Sequence, residues 1–302
     1  MAPRGNSVCG IDITKDSISI AQYSASDNSV ANAGIIPNPL DDAGSGSDFL
    51  PSLRNKIKRL AGQMRCEQLA AAVGLPAEFA IVKTVMVDES EENVREAIGW
   101  DLGQHIVGSL DDFSFDFEPL AAGSDGGVKR FLAVAYRTAG VQKIVSVIKN
   151  ARISPCVADI DMFALVDVFE ANYQENLGSL SLIVHGCSDA TKLILTSGGG
   201  FVDFDVVSHA GGHAAADAYA AMLAETVAQS FSGRQTAFDT YVTGPLFTDP
   251  EFSESVCSRL GNARALDPFK SIRANVEIPA ESVPYLAVAV GLAVRCAAEV
   301  GA

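Results

Sequence analysis

The chain has 302 residues, of which 48% are apolar and 20% charged, so it can form one large or two ordinary domains with proper cores. Acidic residues outnumber basic ones by 37 to 22, and the net charge of −15 argues against nucleic-acid binding and against tight attachment to anionic lipid. Neither a signal peptide nor an uncharged apolar run of about 18 residues is visible, so we expect no membrane-spanning helix.

The first predicted element is a β-hairpin near the N-terminus. Residues 8–13 (VCGIDI) form an apolar strand, residues 14–17 a polar turn, and residues 18–21 the return strand. A third strand is predicted around 30–36. The N–H groups of such a turn can bind a phosphate, so the turn is a candidate functional site.

Further along the first half, a helix is predicted over 49–64 and a buried strand over 68–74. The pattern then changes between 81 and 155. An acidic helix start, a strictly alternating strand over 113–117, a second strand over 131–136 and a second helix together predict a small α/β subdomain. We expect this subdomain to be inserted into the first unit.

The pattern of the first hairpin occurs a second time. Residues 180–184 form an apolar strand, residues 186–189 (GCSD) a small turn, and residues 191–195 the return strand, followed by a third strand over 201–207. Two copies about 170 residues apart predict two similar domains that face each other across a cleft. An alanine-rich helix over 214–230 follows, and later elements include a strand over 240–243 and helices over 250–260 and 284–296.

The cysteines and histidines give no sign of a metal centre. The cysteines are scattered without a CxxC pair, which favours reduced, mostly buried thiols in a cytoplasmic protein. The four histidines show no paired ligand spacing with them. His185 sits at a predicted strand end, and we expect it to be structural rather than catalytic. No metal site and no catalytic residue are therefore assigned.

Several short segments, in this order and spacing, carry a resemblance to a known family. They are residues 10–13 (GIDI), 98–101 (IGWD) with Gln104, 116–117, 133–135, 159–165 (DIDMFAL), 266–269 (LDPF) and 285–295. Together they resemble the type IV pilus assembly protein PilM family of the actin-like superfamily. The similarity runs nearly from end to end.

This resemblance implies an actin-like α/β fold built from duplicated RNase H-like domains, with a small α/β subdomain inserted in the first domain. Domain I would comprise residues 1–80 and 156–178, the insert 81–155, and domain II 179–302. The implied protein is a cytoplasmic scaffold, peripheral to the inner membrane through its partners. Those partners would be the N-terminal peptide of a PilN-like bitopic membrane protein, the pilus alignment complex and the motor ATPase, with no nucleic acid.

The resemblance also implies where ATP and Mg²⁺ would bind. Members of the superfamily have an aspartate at the end of both equivalent strands and small residues in both turns. Here Asp12 is present, Thr14 stands where glycine is usual, and Val184-His185-Gly186 stands where Asp-Ile-Gly is usual, so the second carboxylate is missing. The candidate cofactor-binding residues are Asp12, Thr14, Lys15, Gly186, Cys187, Ser188, Gly211, Gly212 and Gly244. We expect ATP/Mg binding that is weak or absent, and hardly any hydrolysis.

Other interpretations stay open at this point. The chain could be an active actin-like ATPase of the FtsA type, a sugar kinase, or a component similar to the cytoplasmic part of the type II secretion protein GspL. Asp12 could simply cap its turn. Trp100 could belong to the core or to a peptide-binding groove, which the resemblance places between the first unit and the insert, around residues 81–155 and 161–165.

Overall fold

The computed structural model describes residues 7–38, 49–120, 127–198, 200–209, 215–231, 238–261 and 263–301. The strands are β1 (Ser7–Ile13), β2 (Ser17–Ser24), β3 (Ser29–Pro37), β4 (Ala70–Leu75), β5 (Ile81–Asp88), β6 (Phe113–Pro119), β7 (Val128–Arg137), β8 (Ser154–Ile160), β9 (Ser181–Gly186), β10 (Ala190–Thr196), β11 (Phe201–Ser208), β12 (Asp239–Thr243), β13 (Arg264–Ala265) and β14 (Arg273–Ala274). The α-helices are α1 (Phe49–Gln63), α2 (Val94–Gly103), α3 (Thr138–Asn150), α4 (Asp161–Asn172), α5 (Ala216–Ser230), α6 (Pro250–Arg259) and α7 (Val283–Val300).

The chain divides into two compact units. The larger unit comprises Met1–Gly74 and Val147–Ala302, and the smaller one comprises Leu75–Ser146. We call the smaller unit the insert. Its bounds lie six to nine residues before those predicted from the sequence, 81 and 155.

The larger unit contains two sheets of the same topology. Their strand orders are β14-β3-β2-β1-β4-β8 and β11-β10-β9-β12-β13. In each sheet three strands form an antiparallel meander, and the first strand of the meander also pairs in parallel with the next strand after it, β4 or β12. The predicted duplication of the strand-turn-strand module is therefore confirmed.

Helix α7 is the central helix of the larger unit, where it packs against β1, β2 and α4. Two glycines allow this close approach: a Cβ atom on Gly10 would lie 1.8 Å from the carbonyl oxygen of Ala289, and one on Gly291 would lie 1.8 Å from that of Ala164. Within the described residues, Ala280–Val300 is the one helical segment long and apolar enough to cross a membrane. However, 56% of its most apolar window is buried, which is how a core helix packs.

The insert has its own sheet, in the order β5-β7-β6, with α2 packed on one face. Alternate residues of β5, Val85 and Val87, meet Ile98 and Leu102 of α2 in a buried apolar cluster. Trp100 lies on the outer side of α2 with 73% of its surface exposed. This tryptophan is therefore not a core residue. Of the two alternatives that the sequence left open for Trp100, the core position is excluded.

The contact between α7 and α4 leads to a first prediction. Replacing Gly291 with alanine should lower the free energy of unfolding by at least about 2 kcal/mol, because the added methyl group meets backbone that cannot move aside. Urea unfolding monitored by circular dichroism measures this loss. Gly62→Ala is the matched control: no atom lies within 4 Å of its added Cβ, so helix propensity should leave stability unchanged or raise it by up to about 1 kcal/mol. Equal effects of the two substitutions would contradict the packing described.

Candidate functional site: the facing hairpin turns and the Trp100 groove

The two equivalent hairpins have turns of the same length. Thr14 donates its backbone N–H to the carbonyl oxygen of Ser17 (2.9 Å), and Cys187 donates its own to that of Ala190 (2.9 Å). With these pairs superposed in register, Asp12 corresponds to His185 and Ser19 to Lys192.

This register corrects the alignment made from the sequence, which placed Val184 at the aspartate position. The error was one residue, and in a strand one residue moves a side chain to the opposite face. The residue that takes the place of the second carboxylate is therefore His185, 3% exposed.

Several N–H groups of the two turns have partners within the protein. Those of Thr14 and Cys187 close their own turns, and the Thr14 hydroxyl accepts a hydrogen bond from the N–H of Ser17 (3.0 Å). Ser188 donates its backbone N–H across the cleft to Oδ2 of Asp16 (3.1 Å). A carboxylate of the first hairpin thus occupies the donor that a phosphate oxygen would need in the second.

A lysine from the second half reaches an aspartate from the first. The Lys192 ammonium group, on β10, donates to Oδ2 of Asp161, the first residue of α4, and both side chains are only 5% exposed. Removing one partner of such a pair leaves an uncompensated buried charge, which destabilises a protein by about 3–5 kcal/mol. This contact therefore holds the two halves together.

The titratable groups around this ion pair reflect its burial. Burial, with a further contribution from the Lys192 ammonium group, lowers the pKa of His185 to about 3, so its imidazole is neutral at physiological pH. Burial also raises the pKa of the Cys187 thiol, and although Lys192 opposes this, Asp12, Asp161 and Asp16 add to it. The Cys187 thiol is therefore unreactive. The charged groups that act on it are three carboxylates and one ammonium group.

Gly186 and Gly244 serve packing in this structure. A Cβ atom on Gly186 would lie 2.8 Å from the Tyr219 hydroxyl and 2.9 Å from the Phe247 ring. Gly244 has a φ of +100°, and a Cβ atom there would lie 2.6 Å from the Gly186 carbonyl oxygen. Both positions require glycine for reasons of space and backbone conformation, whether or not a ligand binds.

Of the predicted site residues, Asp12, Thr14, Cys187 and Ser188 lie at or beside the two turns, whereas Lys15 is exposed on the first turn. Gly211 and Gly212 lie outside the described residues. Three further residues at the facing hairpin turns were not predicted from the sequence: Lys192, Asp161 and Asp16. One signal was present in the sequence. Lys192 directly precedes the apolar run Leu193-Ile194-Leu195, and a lysine in an apolar strand needs a buried partner.

One donor that a Mg²⁺-bound phosphate would use at these turns, the Ser188 N–H group, is engaged within the protein. No group of three His, Cys, Asp or Glu side chains in the described parts of the chain is placed to hold a metal ion. The Ser188 hydroxyl oxygen is buried without a hydrogen-bond partner there, but one neutral donor cannot balance the charge of a triphosphate.

The insert carries a different kind of candidate site. Of the large apolar side chains that the described residues expose, the insert holds Phe79 (67%), Met86 (74%), Trp100 (73%) and Val107 (89%), and the larger unit holds Val300 (43%). Among the described residues, the insert therefore exposes more large apolar side chains than the larger unit does.

A cavity of about 710 Å³ runs beside α2, and we call it the Trp100 groove. It is lined by Asn93, Arg95, Glu96, Gly99, Trp100, Gly103, Gln104, Leu110 and Phe115. The Arg95 guanidinium lies 4.5 Å from the centroid of the Phe115 ring and donates a hydrogen bond to the Phe115 carbonyl oxygen (3.0 Å). This wall of the groove is therefore held in place, while the Trp100 ring remains open to a partner.

The model of the family described as type IV pilus assembly protein PilM matches residues 10–181. A solved PilM–PilN type IV pilus biogenesis complex contains a chain that is 20% identical, with a TM-score of 0.83 over 98% of this chain and 99% of that one.

Two more distant structures share the fold. The cytoplasmic domain of EpsL, an inner membrane component of the type II secretion system of Vibrio cholerae, is 13% identical, with a TM-score of 0.56 over 97% of this chain and 95% of that one. A Bacteroides thetaiotaomicron protein with an actin-like ATPase fold is 9% identical, with a TM-score of 0.51 over 86% and 91%. The predicted actin-like α/β fold is confirmed. The comparison with curated proteins found no match.

The neutral, buried His185 generates a prediction about pH. Its pKa is lower in the folded protein than in the unfolded chain, so only the unfolded chain takes up this proton as the pH falls through about 6.5. Between about pH 7.5 and about pH 5.5 this uptake should lower the free energy of unfolding by about 1.4 kcal/mol, and His185→Gln should remove that part of the loss. Urea unfolding across this range measures both slopes, and identical slopes would contradict the assignment.

Proposed function

Because the chain belongs to the type IV pilus assembly protein PilM family, we propose that it is a scaffold of the pilus assembly complex at the inner membrane. In this role it binds the cytoplasmic N-terminal peptide of a PilN-like bitopic membrane protein. The family match supports the pilus role, and the solved PilM–PilN complex supports the choice of partner. The single observation that carries the binding role is the exposed Trp100 side chain in the groove beside α2.

The Trp100 groove suits an extended peptide. Its volume of about 710 Å³ is enough for a few side chains, and an exposed tryptophan beside a preformed wall is typical of an interaction hot spot. The insert has twelve acidic and six basic residues between 75 and 146. The cytoplasmic flank of a membrane helix is rich in lysine and arginine, so its charge complements the insert.

The facing hairpin turns support a scaffold rather than a motor. The Asp16 carboxylate takes a turn N–H group that a phosphate would need, and Lys192 brings a positive charge to Asp161 without a metal ion. We therefore include in the proposal a degenerate nucleotide cleft in which ATP/Mg binding is weak or absent. The pilus alignment complex and the motor ATPase are further proposed partners, and the chain would be cytoplasmic and reach the membrane through partners alone.

The alternatives are an active actin-like ATPase of the FtsA type and a type II secretion component of the GspL type. The first needs two carboxylates at the turns, and the second position holds His185. The fold shared with the EpsL cytoplasmic domain favours the second alternative to some extent, but the family match is to pilus assembly. A test of binding to a PilN-like peptide distinguishes this second alternative from the proposed pilus role.

The peptide proposal is tested directly with Trp100, the single tryptophan of the chain. Adding a synthetic N-terminal peptide of the PilN-like partner to the full chain should shift the tryptophan emission to shorter wavelength, because the ring leaves water. Trp100→Ala should weaken binding, measured by calorimetry, by at least about tenfold, as loss of a hot-spot residue does.

Phe79→Ala is the matched control for this experiment. It removes an aromatic side chain of similar exposure that is not among the residues lining the groove, and it should leave the affinity within about twofold. Equal affinities of wild type and Trp100→Ala would remove the groove from the proposal. Absence of any peptide binding would overturn the adaptor role itself.

The degenerate cleft predicts weak nucleotide binding that one substitution improves. A fluorescent ATP analogue with Mg²⁺ should show no micromolar affinity for the wild-type protein, and no turnover. Asp16→Ala frees the Ser188 N–H and removes a negative charge, so its affinity for the analogue should exceed that of wild type. Asp27→Ala removes the same charge from an exposed turn between β2 and β3 and is the matched control. Micromolar binding with turnover by the wild-type protein would contradict the proposal.

A further inference from the structure

Four of the six cysteines lie close together in the larger unit, although they are far apart in sequence. Cys9 lies in β1, Cys66 follows α1, Cys156 lies in β8 and Cys296 lies in α7. The Sγ atoms of Cys156 and Cys296 are 3.3 Å apart, and Cys156 also donates a hydrogen bond to the carbonyl oxygen of Ala71 (3.4 Å). Two sulfur atoms in direct contact are close enough for a disulfide to form with a small movement, because the bonded distance is about 2.05 Å.

The two thiols differ in their access to solvent. Cys156 is exposed, whereas Cys296 is fully buried behind it. Burial and the neighbouring Cys156 raise the pKa of the Cys296 thiol, which therefore stays protonated. An oxidant in solution meets Cys156 first, and Cys296 is in place to react with the product.

We propose that Cys156 and Cys296 are a site of reversible oxidation by peroxides. Cys156 attacks the peroxide oxygen to give a sulfenic acid, and one water molecule leaves when the peroxide is hydrogen peroxide. The Cys296 sulfur then attacks the sulfenic acid sulfur, the Cys296 thiol proton passes to the leaving hydroxyl group, the disulfide forms and a second water molecule leaves. Two thiols and one hydrogen peroxide thus give one disulfide and two water molecules.

This disulfide would join two elements with central positions in the fold. Cys296 belongs to α7, which packs against β1, β2 and α4, and Cys156 belongs to β8, which leads directly into α4. The bond would close a loop of about 140 residues, and disulfides that close long loops restrict the unfolded chain most. Oxidation is therefore expected to raise the temperature of unfolding.

The test is treatment of the full-length protein with a small molar excess of hydrogen peroxide, followed by intact mass measurement and peptide mapping without reductant. The expected product has lost two hydrogen atoms, contains a linked peptide pair with Cys156 and Cys296, and returns to the starting mass with dithiothreitol. Its unfolding temperature should exceed that of the reduced protein.

Two variants make the assignment specific. Cys296→Ser should stop the reaction at the Cys156 sulfenic acid, which dimedone labels, and should form no internal disulfide. Cys257→Ser, which changes a cysteine on α6, should leave the linked pair unchanged. Peptide mapping of wild-type protein decides the proposal without any variant: if Cys156 is oxidised without linkage to Cys296, links to a second molecule, or does not react, the proposal is wrong.

Discussion

The buried ion pair between Lys192 and Asp161 is the interaction on which the arrangement of the two similar halves depends. Both charges have left water, and each is stabilised in the interior because the other is close. Any movement that separated β10 from the start of α4 would break this buried ion pair. These side chains therefore connect the two halves directly. The contact of Asp16 with Ser188 acts in the same direction.

In the proposed scaffold role, these two contacts would supply the charges that a bound metal-nucleotide complex would otherwise bring to the cleft. The Asp16 carboxylate stands in for a phosphate oxygen at a backbone N–H, and the Lys192 ammonium group stands in for a cation at a carboxylate. His185 completes the change, because a neutral imidazole can neither hold Mg²⁺ waters as a carboxylate does nor repel Lys192 as a cation would. A cleft whose charges are balanced within the protein would suit the constant shape that a scaffold needs.

The duplicated modules could be predicted from the sequence because strand alternation and small-residue turns are local signals. The register of the second hairpin could not, because apolar residues on both faces of β9 remove the alternation that fixes it, and the alignment was wrong by one residue. The pairing of Lys192 with Asp161 joins residues 31 apart, and a single sequence carries no sign of such a contact beyond a lysine in an apolar strand. The exposure of Trp100 could not be predicted from the sequence for a related reason. On a ten-residue helix with two glycines, the apolar face is too poorly marked to assign one tryptophan.

The distribution of apolar surface separates the two candidate sites. In the larger unit, apolar side chains fill the cores, and the polar groups at the turns are mostly paired with each other. In the insert, large apolar side chains remain in water although the chain as a whole has a net charge of −15. Exposed apolar area has a cost in solubility that a charged surface only partly offsets, so its persistence in one small unit needs a reason. Binding a partner there is such a reason. A partner in the Trp100 groove would remove the tryptophan ring from water, and this burial would favour the complex.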